Sequence, residues 1–134
     1  MNKRTKSFIT LTCIVVLYAI AISAINAGSD GFLTADTTYQ ITTLGCNATY
    51  LLTIENTGDE TDTYDLTLTN VDGAGLAVLS KYSVTLDAGQ STNITLSVAD
   101  SDTVGPYYLN VNATSQTDSG VTDEIETVTA VVEE

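Results

Sequence analysis

From residue 39 onward, apolar and polar side chains alternate with a period of two, in short runs broken by glycine, aspartate and asparagine. The stretch 48–68 is the plainest case. Tyr50, Leu52 and Ile54 share one face of a first run, and Tyr64, Leu66 and Leu68 share one face of a second. Thr57, Gly58, Asp59, Glu60 and Thr61 lie between them. Such a pattern predicts a strand, a tight reversal and a second strand, with Gly58 supplying the positive φ of the turn. Similar runs predict strands over 39–44, 76–79, 82–86, 92–98, 107–113 and 124–132. Their expected inward residues include Tyr82, Val84, Leu86, Ile94, Leu96, Val98, Tyr107, Leu109 and Val111. Threonine fills many outward positions, where a β-branched side chain suits a half-exposed pleated surface. No segment after Ile25 has helical periodicity. The expected fold is all-β: two antiparallel sheets of seven to eight strands in total, packed face to face around Val, Leu, Ile and Tyr rows.

The N-terminus follows a different pattern. Lys3, Arg4 and Lys6 precede a mostly apolar run over 8–25, and the small residues Ala24 and Ala27 lead into a polar stretch. A basic start, an apolar middle and a small-residue exit are the parts of a secretory signal peptide, cut after Ala27. At about 18 residues the run also reaches the lower limit for spanning a bilayer, so an uncleaved membrane anchor or tether through 8–25 is the alternative. Either way the remainder is exported. The expected organisation is a signal peptide or anchor helix over 1–27, a linker over 28–38 and the sandwich over 39–134.

Export sharpens the charge. Outside the basic start, Lys81 stands alone against 17 acidic residues, a formal net charge of −16. Such a surface repels nucleic acid and anionic membranes, which excludes both as partners. Its self-repulsion is relieved by salt or bound cations. The chain has no histidine, so imidazole catalysis and histidine metal ligation are excluded and no cofactor is expected. Cys13 lies in the apolar run, leaving Cys46 as the one exported cysteine, either an inert buried thiol or the link of a dimer.

Several groups could carry function. Asp59, Glu60 and Asp62 in one turn, and Asp100 with Asp102 in another, offer hard oxygen ligands to calcium, but neither cluster continues into a full calcium-loop pattern. Solvated polar turns account for them more simply. Asn47, Asn93 and Asn112 each begin an Asn-x-Thr triplet, the acceptor pattern for N-glycosylation. Asn93 and Asn112 fall in outward register and Asn47 in a turn, so a glycan fits at each. Among the tyrosines, Tyr108 is the outward one in its strand and the candidate sugar contact, whereas Tyr50, Tyr64, Tyr82 and Tyr107 read as core.

The order of a strand, N-T-G-D-x-T-D-T-Y-D-L, a variable stretch, V-T-L-D-A-G-Q and G-P-Y-Y-L-N-V-N-A-T-S resembles the alpha-galactosidase-associated (NEW3) domain. That family is related to the CARDB-like modules of prokaryotic, above all archaeal, surface proteins. The resemblance covers 39–132 and implies an immunoglobulin-like sandwich with a structural or adhesive role at the cell surface. Its partners would be other envelope proteins or glycans, and it brings no catalytic residues. Relatives often carry a tryptophan ahead of a V-x-L run, where this chain has Leu76 and no tryptophan, which weakens a carbohydrate-binding accessory role. A pilin-like filament subunit that retains the apolar helix is a further alternative, with Lys6-Ser7 as its processing point.

Overall fold

A computed structural model describes residues 32–134. The expected N-terminal helix and its cleavage point lie outside those residues. Nine strands are described: β1 (Leu33–Ala35), β2 (Tyr39–Thr43), β3 (Ala48–Glu55), β4 (Asp62–Asn70), β5 (Leu76–Leu79), β6 (Ser83–Leu86), β7 (Ser91–Ala99), β8 (Gly105–Ser115) and β9 (Thr122–Val132). They form a four-stranded sheet in the order β1-β3-β7-β5 and a five-stranded sheet in the order β2-β9-β8-β4-β6. Each predicted strand is present, with bounds shifted by at most two residues.

The alternation does what it predicts for packing. Tyr50, Leu52 and Ile54 of β3, with Ile94, Leu96 and Val98 of β7, meet Leu66, Leu109, Val111 and Ile125 of the other sheet in one buried cluster. The intervening positions face outward and are mostly polar, with Leu51 and Tyr108 as apolar exceptions. Tyr50 crosses this core. Its hydroxyl donates to the Val128 carbonyl at 2.8 Å and lies 2.8 Å from Thr129 Oγ1 on β9. A large side chain from one sheet is thus anchored by hydrogen bonds to the other, which satisfies a phenol that burial would otherwise penalise.

Four features depart from the sequence-based reading. First, β3 and β4 are not a hairpin: β3 pairs with β1 and β7, β4 with β6 and β8. Residues 57–61 are therefore an arch between sheets. Gly58 is not among the glycines with positive φ. A Cβ there would sit 3.1 Å from Asn56 Oδ1, so glycine is favoured by close approach to that side chain. Second, β2 runs parallel to β9, from Tyr39↔Val128 to Thr43↔Val132, so the sandwich is not wholly antiparallel. Third, part of the expected linker is strand. Phe32 and Leu33 are buried, the Phe32 ring lies 5.0 Å from that of Tyr64, and β1 pairs with β3. Fourth, Tyr82 is 49% exposed, because β6 begins one residue later and the Tyr82 hydroxyl instead accepts the Leu79 amide.

Burial pushes the Tyr50 phenol up to about 12. The folded state therefore holds the proton that the unfolded chain releases near its ordinary value of 10. This contribution to stability is complete below that value and is lost as pH rises through the folded one. Tyr50→Phe should lower unfolding free energy at neutral pH by about 1–2 kcal/mol, read from urea melts. It should also remove the last-ionising tyrosinate from an absorbance titration of the folded protein.

Candidate functional site

The strands bring the sequence candidates to the two poles of the sandwich and its two outer faces. At the pole where β3 ends, Asn56 is 1% exposed, and every polar atom of its amide is paired. Its Nδ2 donates to the Glu60 carbonyl at 2.8 Å and the Leu86 carbonyl at 2.9 Å. Its Oδ1 accepts from the Gly58 amide at 3.0 Å and the Tyr64 hydroxyl at 3.1 Å. The Asn56 backbone also bonds Gln90 and Gly89 in the turn between β6 and β7. One side chain thus shapes the arch and joins it to a second loop. Alternation alone places Asn56 at a strand end and gives no hint of this role.

Asp62 lies beside that arch. Its carboxylate accepts from the Ser115 hydroxyl, from the Thr117 hydroxyl at 2.7 Å and from the Thr63 amide at 2.7 Å. The Ser115 bond, aided by those from Thr117 and Thr63, holds the Asp62 carboxyl below the usual carboxylate range. Asp59 and Glu60 remain exposed.

The opposite pole is organised by Asp100, 9% exposed. Its Oδ1 accepts the Asp102 amide at 2.9 Å and the Thr103 amide at 2.7 Å, and its Oδ2 accepts the Gly75 amide at 2.9 Å. A Cβ at Gly75 would come within 3.3 Å of that oxygen. The Asp100 carbonyl also accepts the Gly45 amide, so three loops converge on one residue. The backbone amides, Asp102 first, keep its carboxyl below the usual range. Asp102 itself is exposed and accepts from the Ser101 hydroxyl.

The two acid clusters are therefore not open ligand sets. In each, the best-placed carboxylate already serves as an acceptor for the protein's own amides and hydroxyls. Among the described residues, no three acidic or thiol side chains gather where they could hold a metal.

The three acceptor asparagines are spread over the surface. Asn47 is exposed ahead of β3, and Asn93 is exposed on the outer face of the four-stranded sheet, where its Oδ1 accepts from Thr53. Asn112 is half-buried on the outer face of the other sheet, its Oδ1 accepting from Thr114 and Thr122. Tyr108 lies outward at 40% exposure. Cys46 is buried and is not a free thiol.

One surface escaped the sequence reading. The outer face of the five-stranded sheet, at the Asp100 pole, carries Tyr39 beside Val128 and Tyr108, and Ile41 beside Ala130 and Pro106. Val71, Val104 and Val132 flank these rows at 57%, 45% and 41% exposure. An open depression of about 510 Å³ between Val104, Pro106, Ala130 and Val132 lies within it. Its traces in the sequence are outward Tyr108 and the unbroken run Ala130-Val131-Val132.

No family model and no curated protein matches the chain. Solved structures do. A PapD-like domain of human CEP192 aligns at TM-score 0.57 and 14% identity over 77% of this chain and 87% of that one. A family 123 glycoside hydrolase from Clostridium perfringens aligns at TM-score 0.59 and 8% identity over 72% of this chain but 23% of that one. Domains 4 and 5 of the S-layer protein SbsC align at TM-score 0.51 and 18% identity over 75% of this chain and 50% of that one. At such identities the likeness concerns the fold, which is immunoglobulin-like.

Asn56→Ala would leave the buried Leu86 carbonyl and Tyr64 hydroxyl, and the Gly58 amide and Glu60 carbonyl of the arch, without these partners and should cost about 3 kcal/mol in denaturant melts. Asn56→Asp should cost more, since a carboxylate would face the Glu60 and Leu86 carbonyls. The depressed Asp62 and Asp100 carboxyls stabilise the fold above the ordinary carboxylate range, and that contribution is lost as pH falls through their folded values. The difference in Tm between the wild type and Asp62→Asn/Asp100→Asn should accordingly be largest at neutral pH and close on acidification, as followed by calorimetry.

Proposed function

We propose that this chain is a non-catalytic structural or adhesive module of a prokaryotic cell envelope. The observation that carries the reading is the occupancy of its carboxylates. Asp62 and Asp100, the best-placed acids of the two candidate clusters, are held ionised by donors from the fold itself. An exposed or fully hydrogen-bonded carboxylate has too low a pKa to act as a general acid near neutrality. With no histidine in the sequence, this surface suits display and contact better than turnover.

The basic and apolar N-terminal pattern supports export. A net charge of −16 beyond it suits a surface whose repulsion is screened by salt or divalent cations. Asn47, Asn93 and Asn112 are the proposed glycan positions, on a turn and on opposite outer faces. Asp59, Glu60 and Asp102, which remain exposed, would attract calcium only as a loose counter-ion. The finer kinship with alpha-galactosidase-associated (NEW3) surface modules rests on the sequence strings alone. The likeness to an S-layer protein domain accords with it at the level of fold.

Intact-mass measurement of the native protein tests this reading. The expected mass is that of 28–134 with glycan increments, or of the whole chain in a membrane fraction. An unmodified full-length mass in the cytosolic fraction would overturn it.

A further inference from the structure

We infer that the apolar part of the five-stranded sheet's outer face pairs with the same face of a second copy of this chain, in a salt-dependent dimer. This inference concerns behaviour in solution and stands apart from the envelope reading. Tyr39, Ile41 and Tyr108 are 46%, 48% and 40% exposed, and they adjoin Val71 at 57% and Val132 at 41%. Register places Tyr39, Val128 and Tyr108 side by side, and Ile41, Ala130 and Pro106 likewise. The rows are contiguous and contain no charged side chain.

Their exposed apolar surface is on the order of 500 Å², at the upper end of what a soluble monomer displays. A homodimer interface of standard size buries about 800 Å² per partner, about 65% of it apolar, which calls for the same amount. Sheet faces of this alternating kind stack on one another at about 10 Å. A two-fold axis would lay one patch on the other as a closed, isologous contact.

Charge sets the condition for pairing. Glu126 and Glu133 flank the apolar rows in sequence, and Asp72 lies against Tyr108, whose amide it accepts at 2.8 Å. The chain's one basic residue outside its N-terminal segment, Lys81, is between β5 and β6. Two copies therefore meet apolar centre to apolar centre but acid rim to acid rim. Low salt opposes the contact, and salt both screens the rim and strengthens apolar burial.

Sedimentation equilibrium of the native protein tests the proposal. Cys46 is buried and not a free thiol, and non-reducing electrophoresis of the same sample separates any covalent linkage from the face-to-face contact. The dimer dissociation constant should tighten at least about tenfold between roughly 0.05 M and 2 M sodium chloride. Ile41→Thr/Tyr108→Thr, which preserves net charge and strand propensity, should weaken the dimer by at least about tenfold. Leu76→Thr/Val78→Thr, at exposed positions on the other sheet, should leave it unchanged. For the wild type, NMR line broadening with concentration should be confined to Tyr39, Ile41, Tyr108, Val128 and their neighbours, independently of how any variant folds. A monomer at both salts, a dimer indifferent to the Ile41/Tyr108 change, or broadening centred elsewhere would overturn the inference.

Discussion

The buried amide of Asn56 is the contact on which the sandwich's connectivity depends. Where β3 ends, the chain must leave one sheet and enter the other within six residues, Asn56 to Thr61, before β4 begins. A crossing that short exposes backbone groups to an apolar interior, and unpaired groups there are costly. Asn56 supplies two donors and two acceptor sites from one side chain and meets four partners across the arch, β6 and Tyr64. Aspartate lacks the donors, and leucine lacks both. Asp100 solves the converse problem at the other pole, where three orphan amides need an acceptor and a carboxylate suits them.

These two residues also bear on how so acidic a chain can fold. Lys81 is the one basic side chain among the described residues, so ion pairs between them can add little to the fold. Stability rests instead on the apolar rows and on carboxylates that serve as acceptors for amides and hydroxyls. Asp62 ties the start of β4 to the end of β8 in this way, and Asp123 accepts the Leu33 amide to fix β1. Acids that look redundant by composition thus hold loops and edges in place.

The period-two pattern made the strands and most inward residues readable, because one face of each strand is buried and a slip of one residue would invert it. Pairing partners were not readable. Tyr50-Leu52-Ile54 and Tyr64-Leu66-Leu68 have the same local signature whether their strands are neighbours in one sheet or face each other across the core. The parallel β2–β9 pair joins residues some ninety positions apart, and no local signal encodes it. β1 is too short for its alternation to be noticed. At the candidate sites, sequence located the acid clusters and the Asn-x-Thr triplets. It could not tell Asp62 and Asp100, enclosed by donors, from Asp59 and Asp102, which face solvent. The apolar outer face was hidden because its rows join β2 to the β8–β9 pair, some ninety positions further along the chain.

The parallel pairing of β2 with β9 has a mechanical meaning. The chain enters the described fold at Phe32, beside the arch, since the Phe32 carbonyl accepts the Glu55 amide. Its last strand runs out at Val132, by the opposite pole, where Leu44 bonds the Val132 carbonyl. Tension between the two ends therefore draws β2 and β9 in opposite directions along their shared axis. Their hydrogen bonds are loaded together in shear and cannot be opened one at a time like a zip. A strand pair in that geometry resists pulling far better than its length suggests.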